Sequence, residues 1–588
     1  MKRGKGKMRI SLVTYRYGRE VMGGGEKYLR ELMTRLARKG HQVEVHTTRS
    51  RFMLASPLGY LLWDNLLPGG RRVEEGVEVF RYPVRNPAPR RAGRKWEKLL
   101  ELQRREREED AFFLSLAEAV DGKKEHCFLC GWHPCEEWED GPARWSADRA
   151  RLVAGGEDIE AVTMEAAVYL DGMLRVKVEG KGIWEFELEK GKPRELLLRF
   201  PPGGAVAMTL EVSRAGRPPG DARLLGAALR KVTVVEGSGA RDLCLGRDWN
   251  DFLETAPEEV VGRVLWEAAA RRKERYSRWH RYVMGPRSPE LEKGAAEAAA
   301  RSDVVLGSMV PVVTLETAWK AARKAGKPFV ALPLFHSRDP NHYWSHFHQA
   351  LAGAAGVEAG LESICELMRG WGFRPFAVGP GFNLEEFSSG GMEGEEFRSR
   401  YNLEGKPMLL WVGRKNLYKG YREAMETLRW VRRKGIPAVL VMAGPEEDHL
   451  PVSAEGVYYL GALPRRELLG AYEACDVFVF PSLHESFCLV FGEAWLKGKP
   501  VLGNAYCAAA RGLIENGVDG YLCRGVEEFG RRAEELLRDP EKARRMGEHG
   551  RRKITAARGW DVLVDKMERE LEDIVETGTR GSAPGSKI

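Results

Sequence analysis

Glu485 and Glu493 stand eight positions apart in the stretch Pro-Ser-Leu-His-Glu-Ser-Phe-Cys-Leu-Val-Phe-Gly-Glu-Ala, late in a chain of 588 residues. The apolar run Val477 to Phe480 leads into this stretch and stops at Pro481. It reads as a buried parallel strand, then a loop carrying Glu485, then a helix from about Phe487 carrying Glu493. Two carboxylates then flank a cleft at the carboxyl end of a strand, where open α/β sheets bind ligands. Carboxylates there suit the hydroxyls of a sugar and a ribose, which are donors for charge-assisted hydrogen bonds. Two glutamates at a helix start also satisfy the helix dipole without any ligand. The surroundings have to decide between these.

The elements that would position such a site begin at the amino end. Arg9 to Tyr15 alternates into a short strand, Gly23-Gly24-Gly25 follows, and a helix is expected from Glu26 to about Lys39. Tyr28, Leu29, Leu32, Met33 and Leu36 fall at three- and four-residue spacing, so one face of that helix packs on a sheet. Gly40 ends it and His41 to Thr47 begins a second strand. In such a βαβ unit the first turn offers backbone N–H groups and a helix N-terminus to phosphate. Further on, Ser302 to Leu306 reads as a buried strand and Leu315 to Ala325 as a helix. Gly326 to His336 reads as a strand ending at a histidine.

The glutamate stretch resembles the signature of the retaining family-4 glycosyltransferases of GT-B fold, an E-x7-E element after a Pro-Ser strand end. Leu409-Leu-Trp-Val-Gly-Arg414 with Lys419-Gly420 is similar to that family's donor-phosphate loop. Val439 to Gly444, Gly461-Ala-Leu463-Pro, Gly498-Lys-Pro-Val-Leu502 and Glu515 to Tyr521 match its further motifs in order. The Gly23–Gly25 turn resembles its first motif. The resemblance implies an α/β fold with two Rossmann-like domains facing a cleft. It also implies transfer of a hexose-type sugar, with retention, from a nucleotide-diphosphate-sugar donor to a glycan or lipid-linked acceptor. By resemblance Gly24 and Gly25 border the donor diphosphate or the acceptor, and Leu463 lies on the base side. Arg414 and Lys419 face the diphosphate, a planar fork and a point charge suited to it. Glu485 would hold a hydroxyl of the donor sugar, Glu493 the ribose and His336 the sugar near its 6-position. The main chain at Phe487, Cys488 and Leu489 would reach sugar or phosphate. His336, Glu485, Arg414 and Lys419 form the expected catalytic set, with no metal and no cofactor. Two departures from the family pattern stand out. Ser486 and Cys488 occupy positions that are often glycine, and Cys507 to Gly512 replaces a glycine turn, where alanine would be penalised at positive φ. The alternative is a catalytically degenerate GT-B protein that binds glycan or acts as a scaffold.

A chain of this length needs several cores. Its 43% hydrophobic and 30% charged residues fit a globular protein, and no run approaches a membrane span. The basic start, Met1 to Met8, lacks a signal-type apolar segment, so a cytoplasmic location is expected. The net charge of +8 favours anionic ligands or an anionic membrane surface over nucleic acid, for which no module is recognisable. Cys127, Cys130 and Cys135, with His126 and His133, lack the second knuckle of a zinc site, and Cys244 is remote. Reduced thiols are the expectation.

The expected organisation is 1–120 and 240–375 for the N-terminal Rossmann-like domain, interrupted by an all-β sandwich at 121–239. Residues 376–556 would form the nucleotide-sugar-binding domain, 557–576 a helix crossing back to the N-terminal domain, and 577–588 a disordered tail. The sandwich is read from alternating runs such as Ala166 to Leu170, Leu196 to Phe200 and Val206 to Val212, separated by turn residues. Trp132 and Trp145 are expected in its core, with glycan stacking as the alternative. Arg90 to Trp96, and Arg271 to Tyr282 with its stripe of Tyr276, Trp279 and Val283, fit either a solvated charged helix whose aromatics pack inward or peripheral contact with anionic lipid.

Overall fold

Short aliphatic runs, buried on both faces, form the strands of two parallel sheets, the pattern expected where helices cover each face. The computed structural model describes residues 6–21, 23–52, 62–87, 89–272, 274–389 and 391–578. The chain divides into two compact units, Met1–Glu97 with Ser277–Ile588, and Lys98–Tyr276.

The first unit holds both parallel sheets. In its N-terminal half, the strand Arg9–Val13 pairs with Gln42–Thr48 on one side and Val304–Ser308 on the other. Phe329–Leu332, Gly356–Glu358 and Pro375–Phe376 extend the sheet beyond Val304–Ser308. Val77–Tyr82 and an antiparallel edge strand, Gly70–Glu74, extend it beyond Gln42–Thr48. At the carboxyl ends of the two strands where the order reverses, Ser308 Oγ donates to Thr14 Oγ1 at 2.7 Å.

In the C-terminal half the order is Val457–Tyr459, Val439–Ala443, Met408–Val412, Val477–Phe480, Val501–Asn504, Gly520–Cys523, all parallel. Numbered along the chain this is 3-2-1-4-5-6, the doubly wound order whose switch point lies between the first and fourth strands. Val412 and Phe480 therefore open the crevice that the sequence located. The helix Trp560–Gly578 crosses back as expected. Its Leu563, Met567, Leu571 and Ile574 join Ile10, Leu29, Leu32 and Val43 in one core. Trp560 stacks on Tyr28 with centroids 6.2 Å apart. This helix continues beyond residue 576, and residues 579–588 of the expected tail lie outside the described residues.

The second unit holds the strands read as a sandwich. Its seven strands, antiparallel throughout, belong to one hydrogen-bonded sheet. The reason is length: Gly141–Val168 has 28 residues and Arg194–Val212 has 19. The latter continues through Pro201 to Gly204, whose residue types predict a turn between two strands. A break in register between Gly155 and Ile159 divides the long strand, yet Leu152 and Ala154 before it share a core with Val162 and Met164 after it. The unit also exceeds 121–239, because flanking helices belong to it. Arg271, on the helix Glu258–Arg271, donates to Ser115 Oγ at 2.7 Å on Asp110–Val120, and Arg151 of the sheet pairs with Asp110.

Trp132 packs against that core and donates its indole N–H to Arg151 O at 2.7 Å, as expected of a core residue. Trp145 is half-buried beside Trp138 and Tyr169. His126 and His133 hydrogen-bond the carbonyls of Cys244 and Leu224, and among the described residues the thiols gather no metal-binding group. The stripe proposed for lipid turns inward. Tyr276 and Val283 are buried, and Trp279 donates to Lys95 O at 3.2 Å. The side chains of Arg90 and Arg91, and all of Lys273, lie outside the described residues.

Gly444 shows how tightly the switch point is built. Its φ is +145°, and a Cβ there would lie 1.7 Å from Gly413 O. Gly444→Ala should cost about 3 kcal/mol through strain and overpacking combined. An unchanged urea midpoint would refute this close approach.

Candidate active site

The site is assembled from loops that leave the carboxyl ends of both sheets. Met408–Val412 is buried throughout, and the chain turns at Gly413 into Arg414, Lys415 and Asn416. Neighbouring cations here point in different directions. Lys415 turns inward, fully buried, to Glu446 at 2.9 Å and to Asp448. Arg414 stays half exposed, with Nη1 2.9 Å from Glu447 Oε1, and Asn416 donates to the other oxygen of Glu447 at 2.6 Å. A short 3-10 turn, Leu417–Lys419, follows. The indole N–H of Trp411 donates to Lys419 O at 3.1 Å and ties this turn to the core.

Lys419 and Glu485 form a direct ion pair with side chains only 10% and 14% exposed. Ser482 Oγ donates to Glu485 Oε1 at 2.8 Å, and the ammonium also reaches His484 O at 3.4 Å. The residues assigned to phosphate and to sugar hydroxyl thus neutralise one another.

The helix expected from Phe487 begins at Leu489 and runs to Leu496. Glu493 lies on it and accepts from Arg465 Nη1 at 2.8 Å and Tyr472 OH at 2.9 Å. Each oxygen keeps a lone pair for a further donor. Leu463 lies in the loop before the helix Arg465–Ala474, and that loop is tied to the switch point by Gly444 N–H donating to Gly461 O at 2.8 Å.

Cys488 precedes the helix with φ +57°, a left-handed conformation costing a non-glycine residue roughly 1–2 kcal/mol. The sequence flagged this position as a lost glycine, and the backbone keeps the glycine conformation. The alanine stretch behaves differently. Ala508 to Ala510 open the helix Ala508–Leu513 and Cys507 has φ −89°, so the expected positive-φ penalty is not incurred.

From the N-terminal half, the strand Phe329–Leu332 ends before His336, which sits in the loop beyond. Its backbone N–H donates to His342 Nδ1 at 2.9 Å, and the two rings stack with centroids 5.0 Å apart. Burial holds the His336 imidazole well below its usual pKa, and the nearby His342, Lys419, His484 and Arg414 add to this. It is a neutral ring facing the cations of the other half. Gly24 and Gly25 open the helix Gly24–Arg38. A Cβ on Gly24 would lie 3.3 Å from Leu489, and one on Gly25 only 2.5 Å from Leu334. Arg338 Nε donates across to Tyr506 O at 2.8 Å. The structure therefore brings together His336, Arg414, Lys419 and Glu485, with Gly24 against Leu489. Glu493 lies on the helix Leu489–Leu496 and Leu463 just before the helix Arg465–Ala474. The Phe487 side chain is buried.

His484, Glu447, Arg465 and Tyr472 escaped the sequence reading. Each is a partner of a residue that was named, and pairing across 20 to 70 positions leaves no local signal.

Among the described residues, His336, Asp339 and His342 could place ligand atoms within 4.8 Å of one another. The hydrogen-bond polarity opposes a metal. His342 Nδ1 accepts an N–H, so in the neutral ring Nε2 carries the proton, whereas a ligand nitrogen needs a lone pair and donates from its other side.

Burial pushes His342 from 6.5 down to about 4. Between those values the unfolded chain binds more protons than the folded one, so stability falls as pH drops through that window. His342→Asn, which can keep an acceptor for the His336 N–H, should flatten this slope by up to about one proton. Urea unfolding followed across the window checks it, and identical slopes would contradict it.

Residues 393–553 match the family model described as glycosyl transferases group 1. Spore coat protein SA of Bacillus subtilis is 26% identical over 195 residues, covering 29% of this chain and 50% of that protein. A GDP-mannose-dependent alpha-(1-6)-phosphatidylinositol monomannoside mannosyltransferase of Mycobacterium tuberculosis is 29% identical over 207 residues, covering 32% of this chain and 53% of that protein. The chain thus spans about half the length of the curated relatives it matches. Among solved structures, sucrose-phosphate synthase from Thermosynechococcus elongatus aligns over 97% of this chain and all of its own, at 14% identity and a TM-score of 0.50, a likeness of fold. The segment 393–553, which carries Arg414, Lys419, Glu485 and Glu493, is thus the part of the chain similar to glycosyl transferases group 1.

Proposed function

We propose that the protein is a retaining glycosyltransferase that moves a hexose-type sugar from a nucleotide-diphosphate donor to a glycan or lipid-linked acceptor. The observation that carries this is the Lys419–Glu485 pair at the switch point, faced by the neutral His336 of the other half. A donor diphosphate entering there competes with Glu485 for the Lys419 ammonium. Glu485, so released, accepts from a hydroxyl of the sugar. Arg414 and Lys419 then stabilise the charge that develops on the leaving diphosphate, in a site already organised to receive it. Their two cations do this without a metal ion. Glu493, oriented by Arg465 and Tyr472, receives the ribose hydroxyls. His336, held neutral, donates or accepts one hydrogen bond at the sugar without adding charge. No side chain is assigned as nucleophile.

The relatives indicate the donor class, since one is named for its dependence on GDP-mannose. A cytoplasmic enzyme meeting its acceptor at the inner membrane face fits this reading. No helix among the described residues is long and apolar enough to cross a membrane.

UDP, GDP or ADP, or a sugar nucleotide of one of them, should raise the melting temperature. No shift with any of them would overturn the transferase reading. Glu485→Ala and Arg414→Ala should each lower kcat/KM by about 10²–10³ with an unchanged circular dichroism spectrum. Wild-type turnover in either variant would remove that residue from the site.

A further inference from the structure

One buried carboxyl joins the crossing between the two halves to the loop that carries Glu485. Glu358 closes the strand Gly356–Glu358 and is 2% exposed. Its Oε1 alone accepts three backbone N–H groups, from Gly360 at 2.8 Å, Gly379 at 2.8 Å and Val378 at 3.3 Å. Val378 and Gly379 lie on the segment by which the chain passes to the C-terminal half. Gly360 and Gly379 are both left-handed, and a Cβ on Gly379 would lie 2.7 Å from Gly360 O. Only two bare backbones can pack this closely.

The Phe487 ring rests on that glycine surface. A Cβ on Gly379 would meet it at 2.9 Å and one on Gly360 at 3.7 Å. On the ring lies the Arg558 guanidinium, 4.8 Å from its centroid, which also donates to Val378 O at 2.5 Å. Arg558 stands where the chain returns to the N-terminal half, and its carbonyl accepts from Phe382 N–H at 2.9 Å. Outgoing and returning crossings and the donor loop are thus packed round one side chain, with Phe487 two residues from Glu485.

We propose that Glu358 is a positioning residue that couples the interdomain crossing to the donor loop, seating Phe487 and so setting the main chain of residues 487–489. This rests on the transferase reading. Removal of the acceptor oxygen leaves three buried donors without a partner, a cost the crossing escapes only by rearranging. Phe487 moves with the crossing, because its ring rests on the two glycines and carries Arg558.

The test uses the full chain and nucleoside diphosphates alone. Glu358→Gln keeps an oxygen for the three N–H groups, whereas Glu358→Leu removes it. Calorimetric titration with UDP, GDP and ADP, well below the melting temperature of every variant, should show Glu358→Leu binding about tenfold or more weaker than wild type, and Glu358→Gln within about twofold. Phe487→Leu should weaken binding as Glu358→Leu does. A purely architectural role for Glu358 predicts a lower melting temperature with unchanged affinity, and that result overturns the coupling. Should Glu358→Leu fail to fold, wild-type affinity in Phe487→Leu overturns it equally. A wild-type chain that binds none of the three nucleotides refutes the transferase reading and the coupling with it. Binding that survives intact in Glu358→Leu refutes the coupling alone.

Discussion

The ion pair between Lys419 and Glu485 is the interaction on which the cleft depends. Both side chains are largely withdrawn from water, and loss of one partner would strand the other as a buried charge, at about 3–5 kcal/mol. The pair therefore holds the turn Leu417–Lys419 against the loop that follows Val477–Phe480, joining the first and fourth strands of the C-terminal sheet just beyond their carboxyl ends. Ser482 and Trp411 reinforce it from either side. A ligand that offers phosphate to the cation and a hydroxyl to the anion replaces one satisfied arrangement with another. The resting site is electrically balanced, and a ligand presenting both groups together keeps that balance.

The same balance extends along the sheet edge. Arg414 is matched by Glu447, Lys415 by Glu446 and Asp448, and Arg465 by Glu386 and Glu493. Lys415 and Arg414 are chain neighbours with opposite fates. One is a fully buried structural charge and the other is half open to solvent. Only the exposed one is placed to meet a ligand without dismantling the fold.

Much of this was legible in the residues. Val477 to Phe480 ended at Pro481 as a strand should, and the four-residue apolar runs placed the parallel strands because burial on both faces leaves no alternative composition. Pro481, closing that run, put Glu485 in the loop at the strand's carboxyl end. What was lost was pairing at a distance and strand length. Nothing local in Pro201-Pro-Gly-Gly204 says that the strand continues, since turn residues are also tolerated at bends of long antiparallel strands. Ala508 to Ala510 misled in the opposite sense: a stretch read as a turn is a helix start, for which alanine is the best residue. The aromatic stripe at Tyr276 and Val283 had the periodicity of a membrane-surface helix, but periodicity cannot distinguish lipid from protein as the apolar partner.

The helix Trp560–Gly578 has a consequence for how the chain comes to be folded. It is the last element described, yet its Met567 and Leu571 lie in the core built on Ile10 and Leu32. The central strand of that half, Arg9–Val13, also waits for Val304–Ser308, nearly 300 residues later. During synthesis from the amino end, domains fold as units as they emerge. Here the N-terminal half is completed only after the strands of the C-terminal half have been made. A growing chain must carry the open core of its N-terminal half, with apolar surface exposed, until Trp560–Gly578 has been made. The C-terminal half, contiguous from Met408 to Cys523 in its strands, can close while its older neighbour is still waiting.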